Sequence, residues 1–170
     1  MDKIKIWFTR FVSVILAFFT ALFSLCLIVT WIILTRSTVI TVVRTTLFTC
    51  TISSQDFSLQ WKHSVEKTQW VEYYQRHQDH FILQYTDVIS FGAGTPSDYP
   101  IIFQKNGVIR MQVDQKISDI RWTVSKNMQG TILVKNKIWP IYQHLPTYSI
   151  IEISPQLYPL WKTWQFGECV

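Results

Sequence analysis

The protein has 170 residues with a formal net charge of +5, and 48% of its residues are hydrophobic. Once an apolar N-terminal run is set aside, this length leaves room for one modest folded domain. The positive charges are spread along the chain and do not form the basic patch typical of nucleic-acid-binding proteins. We therefore expect no nucleic-acid partner.

The N-terminal region predicts a membrane-spanning helix. Residues 11–34 carry no formal charge, and as a helix they would reach about 36 Å, against a hydrocarbon core of about 30 Å. Residues 1–10 are then a short tail, and residues 35–170 form the domain behind the span. A cleaved signal peptide is the alternative. The run is longer than a usual signal core, and the residues after it lack a small-residue cleavage site, so we favour an uncleaved anchor.

The charges beside this span predict its orientation. Three basic residues precede it, and two follow it in the next ten positions: Lys3, Lys5 and Arg10, then Arg36 and Arg44. Because basic residues are favoured on the cytoplasmic side, we expect the N-terminus in the cytoplasm and the domain on the opposite side of the membrane. Trp7 and Trp31 stand near the two ends of the span. Such rings favour the membrane interface, so both are predicted anchors and the lipid bilayer is the first expected partner.

Behind the span, the sequence changes to short alternating runs typical of β-strands. In the run 57–63, Phe57, Leu59 and Trp61 fall on one face and polar residues on the other. Further strands are predicted at 38–44, 70–75, 81–89, 108–113 after the Asn106-Gly107 turn, 120–125, 131–134 and 138–142. We expect a shaped loop at 90–100 and no second helix. The pattern predicts an all-β, mostly antiparallel domain, sandwich or barrel-like.

Two of the three cysteines lie behind the span. Cys50 and Cys169 would be free to pair in an oxidising compartment, and the bridge would close a loop of about 120 residues. Cys169 is the penultimate residue, however, where chain ends are often frayed. The sequence leaves the bridge open.

The densest polar run of the domain follows the strand 57–63. It contains a potential base, nucleophile, acid and cation, with an aromatic residue and a second acid close behind: His63, Ser64, Glu66, Lys67, Thr68, Trp70 and Glu72. In a continuing strand His63 and Ser64 would point to opposite faces, so a serine–histidine pair requires the backbone to turn. A solvated turn is the simplest interpretation. The sequence offers no complete catalytic set, and we expect no metal, because a tight site needs three or four convergent ligands. No cofactor is expected either.

The same run, followed about twenty residues later by Gly92, Ala93 and Gly94, resembles a bacterial family of domains of unknown function. Its members are small envelope proteins commonly encoded beside tripartite ATP-independent periplasmic (TRAP) transporters of the TAXI type. The resemblance implies a protein of the bacterial inner membrane with a periplasmic domain. It also implies a role in solute uptake, with the transporter's membrane subunit or the solute-binding protein as partner. It transfers no catalytic roles.

Three functions are compatible with these patterns. The first is a non-enzymatic accessory protein of a TRAP-type transporter, which uses the polar run and the Gly92–Gly94 loop to contact its partner. The second is a ligand-binding module, in which His63, Lys67, Trp61 and Trp70 line a pocket for an anionic or carbohydrate-like ligand. The third is a small hydrolase using Ser64. Convergence of Ser64, Lys67 and His63 in a concavity would favour the second or third function.

Overall fold

The computed structural model describes residues 2–92, 94–95 and 98–170. The chain begins with a long helix, α1 (Asp2–Thr35). From Arg10 to Thr35 this helix is long and apolar enough to cross a membrane, and none of that stretch is buried by the rest of the protein. A membrane anchor and a signal sequence both have these properties, and a single helix before a β domain fits a membrane-anchored protein.

Strands dominate the rest of the described chain. In order they are β1 (Ser37–Arg44), β2 (Thr49–Ile52), β3 (Asp56–Lys62), β4 (Gln69–Arg76), β5 (Phe81–Val88), β6 (Ile101–Lys105), β7 (Val108–Ile117), β8 (Ile120–Thr123), β9 (Thr131–Val134), β10 (Lys137–Trp139) and β11 (Ile150–Pro159). A 3-10 turn (Ile141–Gln143) follows β10, and a short helix, α2 (Leu160–Thr163), follows β11.

The strands form two antiparallel sheets. The small sheet has the order β2-β1-β11-β8, and the large sheet has the order β10-β9-β3-β4-β5-β7-β6. Residues from both sheets meet in one apolar core, which includes Val43 and Ile153 from the small sheet and Leu59 and Phe81 from the large one. The all-β sandwich expected from the sequence is therefore confirmed, with one N-terminal helix in front of it.

The alternation along β3 places its side chains as predicted. Phe57 and Leu59 are buried in the core, and Trp61 packs against it from a half-buried position. The Asn106-Gly107 turn also forms, since both residues have positive φ, 54° and 77°. This pair of left-handed residues is the backbone requirement of a tight hairpin, here between β6 and β7.

Three strands escaped the sequence analysis: β2, β6 and β11. The largest miss is β11, which contains Pro155 and Pro159. Proline argues against a central strand because it lacks an N–H donor. Here β8 pairs only with residues 150–153 of β11, so Pro155 lies where one side of the strand is open. β6 begins directly after the expected loop 90–100, and its run of three apolar residues does not alternate as a half-buried strand would.

Two predicted strands were too long, and one helix was missed. The expected strand 138–142 ends at Trp139, because Pro140 cannot donate to the ladder and the chain turns into the 3-10 segment. The expected strand 120–125 ends at Thr123. The four-residue helix α2 is shorter than any pattern that periodicity can reveal.

The C-terminal tail is tied to the small sheet. Cys50 on β2 and Cys169 form a disulfide. The backbone of Thr51 supports it, donating to the Gly167 carbonyl at 2.9 Å and accepting from the Cys169 amide at 2.9 Å. The sequence did not decide whether this bridge forms, because chain ends are often frayed. Here main-chain hydrogen bonds hold the C-terminal segment against β2.

Candidate functional site

The polar run forms the turn between β3 and β4. The His63 amide donates to the Thr68 carbonyl at 2.8 Å, and the Lys67 amide donates to the His63 carbonyl at 3.1 Å. Lys67 has a φ of 58°, a left-handed conformation that is uncommon for a residue with a side chain. The backbone does turn directly after the strand, as a site in this run requires.

The ring of His63 is held from two sides. It stacks on the Trp70 ring, with 5.2 Å between the ring centroids, and its Nδ1 accepts a hydrogen bond from the Glu66 amide at 3.3 Å. Both contacts lie within the turn and the strand that follows it. His63 therefore orders the turn.

Ser64 and Lys67 do not form a nucleophilic pair with His63. Ser64 is exposed, and the Lys67 ammonium donates to the main-chain carbonyl of Ser64. A serine nucleophile needs its hydroxyl hydrogen-bonded to a base. The contacts of this turn use the backbone of Ser64 instead, an arrangement suited to fixing a surface shape.

Glu66 joins the turn to the second predicted segment. Its carboxylate lies over Gly92, so close that a Cβ at Gly92 would stand 1.2 Å from Oε1. The Ser90 hydroxyl is 3.5 Å from Oε2. The absence of a side chain at Gly92 leaves room for the Glu66 carboxylate in this position, and a Cβ there would displace it. Gly94 has a φ of 81°, and Ala93 lies outside the described residues.

Exposed apolar residues flank this contact in the sequence. Val65 in the turn and Ile89 and Phe91 beside the glycine loop are exposed. Ser64 and Lys67 are exposed next to them. We call these residues, together with the half-buried Glu66, the motif surface: Ser64, Val65, Glu66, Lys67, Ile89 and Phe91. Its mixture of apolar and charged side chains is typical of protein interfaces.

Trp70 and Glu72 lie inside the domain and not on that surface. Trp70 is only 8% exposed and packs with Val88, Ile109 and Met111. Within the described residues, the buried Trp70 Nε1 and Thr68 Oγ1 have no hydrogen-bond partner. Such atoms are uncommon in protein interiors and mark this end of the sheet as incompletely satisfied.

Glu72 lies between Trp70 and Tyr74 on the inner face of β4. The Tyr74 hydroxyl donates to its carboxylate. Burial raises the pKa of the Glu72 carboxyl, and the hydrogen bond from Tyr74 offsets part of that rise. Burial, followed by the neighbouring carboxylate, likewise raises the pKa of Tyr74. Glu72 therefore contacts Tyr74 within β4 and is not part of the motif surface.

An open concavity of about 590 Å³ adjoins the turn. Two lysines and no carboxylate line it among the described residues: Gln60, Trp61, Lys62, Lys67, Thr68, Gln69, Ile89, Gln129, Thr131, Pro140 and Tyr142. Gln129, like Lys67, has a left-handed backbone, with a φ of 52°. Lys67 thus reaches the concavity, whereas His63 and Ser64 are not part of its described lining. The convergence of all three in a concavity, which would favour a ligand-binding module or a hydrolase, does not occur.

The large sheet contains a charged cluster that was not predicted from the sequence. Arg110 on β7 donates to both carboxylate oxygens of Asp87 on β5, at 2.6 and 2.7 Å. The Tyr73 hydroxyl donates to Asp87 at 2.9 Å, and the Arg110 guanidinium lies 4.6 Å from the centre of the Tyr73 ring. Asp87 raises the pKa of Arg110. Only strand pairing brings these three residues together, so no local pattern could have found them.

The predicted membrane anchors lie on α1. Trp7 stacks on Phe11, with 5.6 Å between the ring centroids, and Trp31 lies close to the C-terminal end of the helix. Both rings are exposed. Their role as membrane anchors stays a prediction.

Comparison with known proteins identifies one family. The family described as a domain of unknown function (DUF1850) matches residues 57–141, which is half of the chain. No curated protein and no solved structure matches the sequence. The matched segment begins in β3 and includes the β3–β4 turn, the glycine loop and most of the large sheet. The chain belongs to the DUF1850 family of domains of unknown function.

Proposed function

We propose that the protein is a non-enzymatic, membrane-anchored accessory protein of a TRAP-type solute transporter. In this proposal α1 anchors the domain in the bacterial inner membrane, with the N-terminus in the cytoplasm and the β-sandwich in the periplasm. The domain acts by contacting the transporter's membrane subunit or the solute-binding protein. The link to TRAP transporters comes from the resemblance of the motif segments, and the anchoring comes from the apolar helix.

One observation carries the choice of partner surface. The two segments that define the resemblance are distant in sequence, yet the Glu66 carboxylate lies directly over Gly92. Val65 precedes Glu66 and Phe91 precedes Gly92 in the sequence, so this contact brings exposed apolar residues of both segments to the same part of the surface. An exposed apolar patch with charges at its margin is a typical partner-binding surface.

Charge removal at the motif surface tests this proposal. Glu66→Ala and Lys67→Ala should weaken co-purification of the transporter from native membranes. A charge that is desolvated at an interface can cost about 2–5 kcal/mol of binding when its partner is left unpaired, whereas an exposed ion pair contributes about 0–1 kcal/mol to stability. The melting temperature should therefore stay near that of the wild type.

Lys105→Ala is the matched control, because Lys105 is an exposed lysine at the end of β6. It should leave both association and stability unchanged. If Glu66→Ala and Lys67→Ala also leave association unchanged, the turn is a solvated surface and the proposal is wrong. A large fall in melting temperature in both variants would instead identify the run as a structural network.

Orientation has its own test. A reporter that is active only outside the cytoplasm, fused after Val170, should be active. Activity of a cytoplasm-only reporter at the same position would reject the orientation inferred from Lys3, Lys5 and Arg10.

A second candidate function is the binding of a small anionic ligand, favoured by the concavity beside the turn. Lys62 and Lys67 line it, and no acid does so among the described residues. Its volume of about 590 Å³ lies within the range of ligand sites. The lining hydroxyl of Thr68 has no partner within the described chain and would gain one from a bound oxygen atom.

The two candidates are separable because Glu66 belongs to the motif surface alone and Lys62 to the concavity alone. Millimolar succinate, as a small dicarboxylate probe, should raise the melting temperature of the purified full chain, since a ligand that binds only the folded state stabilises it. Lys62→Gln should abolish this rise, and Lys137→Gln, at an exposed lysine of β10, should retain it. Equal rises in all three proteins, or a similar rise with glucose, would contradict a specific anion site.

A further inference from the structure

The eight tryptophans, all of which the structure describes, divide into two groups. Four are packed into the domain: Trp61, Trp70, Trp122 and Trp139. The other four are exposed, at 66% for Trp7, 67% for Trp31, 41% for Trp161 and 77% for Trp164. Two of these exposed rings lie at the ends of α1. The remaining two lie in the C-terminal region, more than a hundred residues away in sequence.

The fold brings this C-terminal pair to the end of α1. The first residue of α2, Leu160, donates its amide proton to the carbonyl of Arg36 at 2.9 Å. Ser37, at the start of β1, pairs with Pro159, at the end of β11. Helix α2 contacts both α1 and β1. The segment 157–164 therefore lies beside the point where the chain leaves the apolar helix.

The distances agree with a position in the headgroup layer. A bilayer has about 5–7 Å of polar interface on each side of its hydrocarbon core. Helix α2 has four residues, which span about 6 Å. The Leu160 amide is hydrogen-bonded to Arg36, the residue directly after α1. The whole of α2 therefore fits within the polar interface when α1 spans the membrane.

The chemistry of the segment also suits a lipid surface. Residues 157–164 include exposed Leu157, Trp161 and Trp164, and they contain Lys162 but no acid. The Lys162 ammonium lies 5.1 Å from the centre of the Tyr158 ring, and Arg36 is exposed nearby. Tryptophan rings favour the interface between headgroups and acyl chains, and cations favour the anionic headgroups.

We propose that segment 157–164 is a second membrane contact, which seats the β-sandwich on the outer surface of the bilayer beside the end of α1. The occupant of this apolar surface is the lipid interface, and Trp161 and Trp164 are its anchors. The domain is then held at two points, by α1 and by α2, which restricts its rotation about the helix axis. This inference rests on the membrane anchoring in the proposed function but not on the transporter partner.

Spin labelling of the full chain tests it. Cys26 is the free cysteine of the described chain, so Cys26→Ala leaves the bridged pair and no reactive thiol. In this background, nitroxide labels are introduced through Trp164→Cys, Phe18→Cys and Ile138→Cys, one at a time. The proteins are reconstituted in vesicles of phosphatidylethanolamine and phosphatidylglycerol without any transporter. Accessibility to oxygen and to a water-soluble nickel complex then reports the depth of each label.

Phe18 lies inside the span, and Ile138 is an exposed apolar position on β10, in the large sheet. We expect a deep label at position 18, a water-exposed label at 138, and an interfacial label at 164 with several-fold lower nickel accessibility than at 138. A deep label at 18 with labels at 164 and 138 equally exposed would overturn this inference and leave the anchor intact. A water-exposed label at 18 would overturn both the anchor and the inference.

Discussion

The large sheet has two differently built regions. Where the small sheet covers it, fourteen buried residues from both layers and the adjoining segments form one core. Outside the area that the small sheet covers, four buried residues of β4, β5 and β7 form a second cluster: Trp70, Val88, Ile109 and Met111. The motif turn, the glycine loop and the concavity all adjoin this second region. So do the buried side-chain atoms that have no hydrogen-bond partner within the described residues, Thr68 Oγ1 and Trp70 Nε1.

This difference separates stability from function within one domain. The covered region gains free energy from dense apolar packing, which scales with the area removed from water. The region beyond the small sheet has fewer buried apolar residues and contains buried polar atoms without a partner within the described residues, features common in segments that bind other molecules. Changes in the covered region should therefore lower stability, and changes at the motif turn should affect association while leaving the fold intact.

The largest effect is expected from removal of the disulfide. The Cys50–Cys169 bridge joins residues 119 positions apart. Replacement of both by alanine should lower the free energy of unfolding by about 4–5 kcal/mol, because the unfolded chain regains the entropy of a long loop. Denaturant titration measures this loss, with Cys26→Ala as the control.

Thiol labelling tests whether the bridge is present. A thiol reagent applied to unreduced, denatured protein should label Cys26 alone, and labelling of all three cysteines would show that the bridge is absent.

A core aromatic should give the next largest effect. Phe81 is fully buried, and its ring centroid lies 5.3 Å from that of Phe57 and 6.4 Å from that of Tyr74. Phe81→Ala should lower the free energy of unfolding by about 3–5 kcal/mol through lost burial and the cavity left behind. The matched control is Phe103→Ala on the exposed edge strand β6, where we expect a loss below about 1 kcal/mol. Equal losses would contradict the packing described for the two positions.

Glu72 lies at the boundary between the two regions and should give the domain part of its pH dependence. Burial raises the pKa of this carboxyl above its ordinary value of 4.5, so the folded protein binds the proton more tightly than the unfolded chain does. The resulting stabilisation is complete below pH 4.5 and is lost as the pH rises through the folded-state pKa.

Glu72→Gln should remove this loss, because the amide cannot ionise while its oxygen still accepts from Tyr74. Between pH 4.5 and 7 the stability of the wild type should therefore fall relative to the variant, by on the order of 1 kcal/mol. Melting temperatures measured across that range provide the comparison. A constant difference between the two proteins would mean that Glu72 does not change its ionisation on folding.

The smallest effect on stability is expected at Gly92. In Gly92→Ala the new Cβ would overlap the Glu66 carboxylate, which must move away. Because this carboxylate is the end of a flexible side chain, the free energy of unfolding should change by less than about 1 kcal/mol. Association with the transporter should nevertheless weaken. Gly167→Ala is the control, since nothing lies within 4 Å of the Cβ it would add. Unchanged association in Gly92→Ala would separate the Glu66–Gly92 contact from function.

Local patterns determined much of the architecture. An uncharged run of 24 residues can satisfy its backbone in a membrane only as a helix, so residues 11–34 predicted α1. Period-two alternation placed Phe57 and Leu59 on the core face of β3, and the Asn106-Gly107 pair predicted the turn that precedes β7. These features depend on neighbours in sequence, and short-range sterics and solvation are sufficient to specify them.

Only the tertiary structure decided the features that depend on distant neighbours. β11 is a strand despite two prolines because β1 pairs along its length, and Cys169 reaches Cys50 because main-chain hydrogen bonds hold the tail against β2. From the sequence, Glu66 and Gly92 were named separately, Arg36 was named only as a flank of the span, and Leu160 was not named. The contacts Glu66–Gly92 and Leu160–Arg36 follow from the packing of the sheets and from the pairing of β11 with β1. Such long-range contacts produce no periodic pattern in the sequence, so local patterns could not predict them.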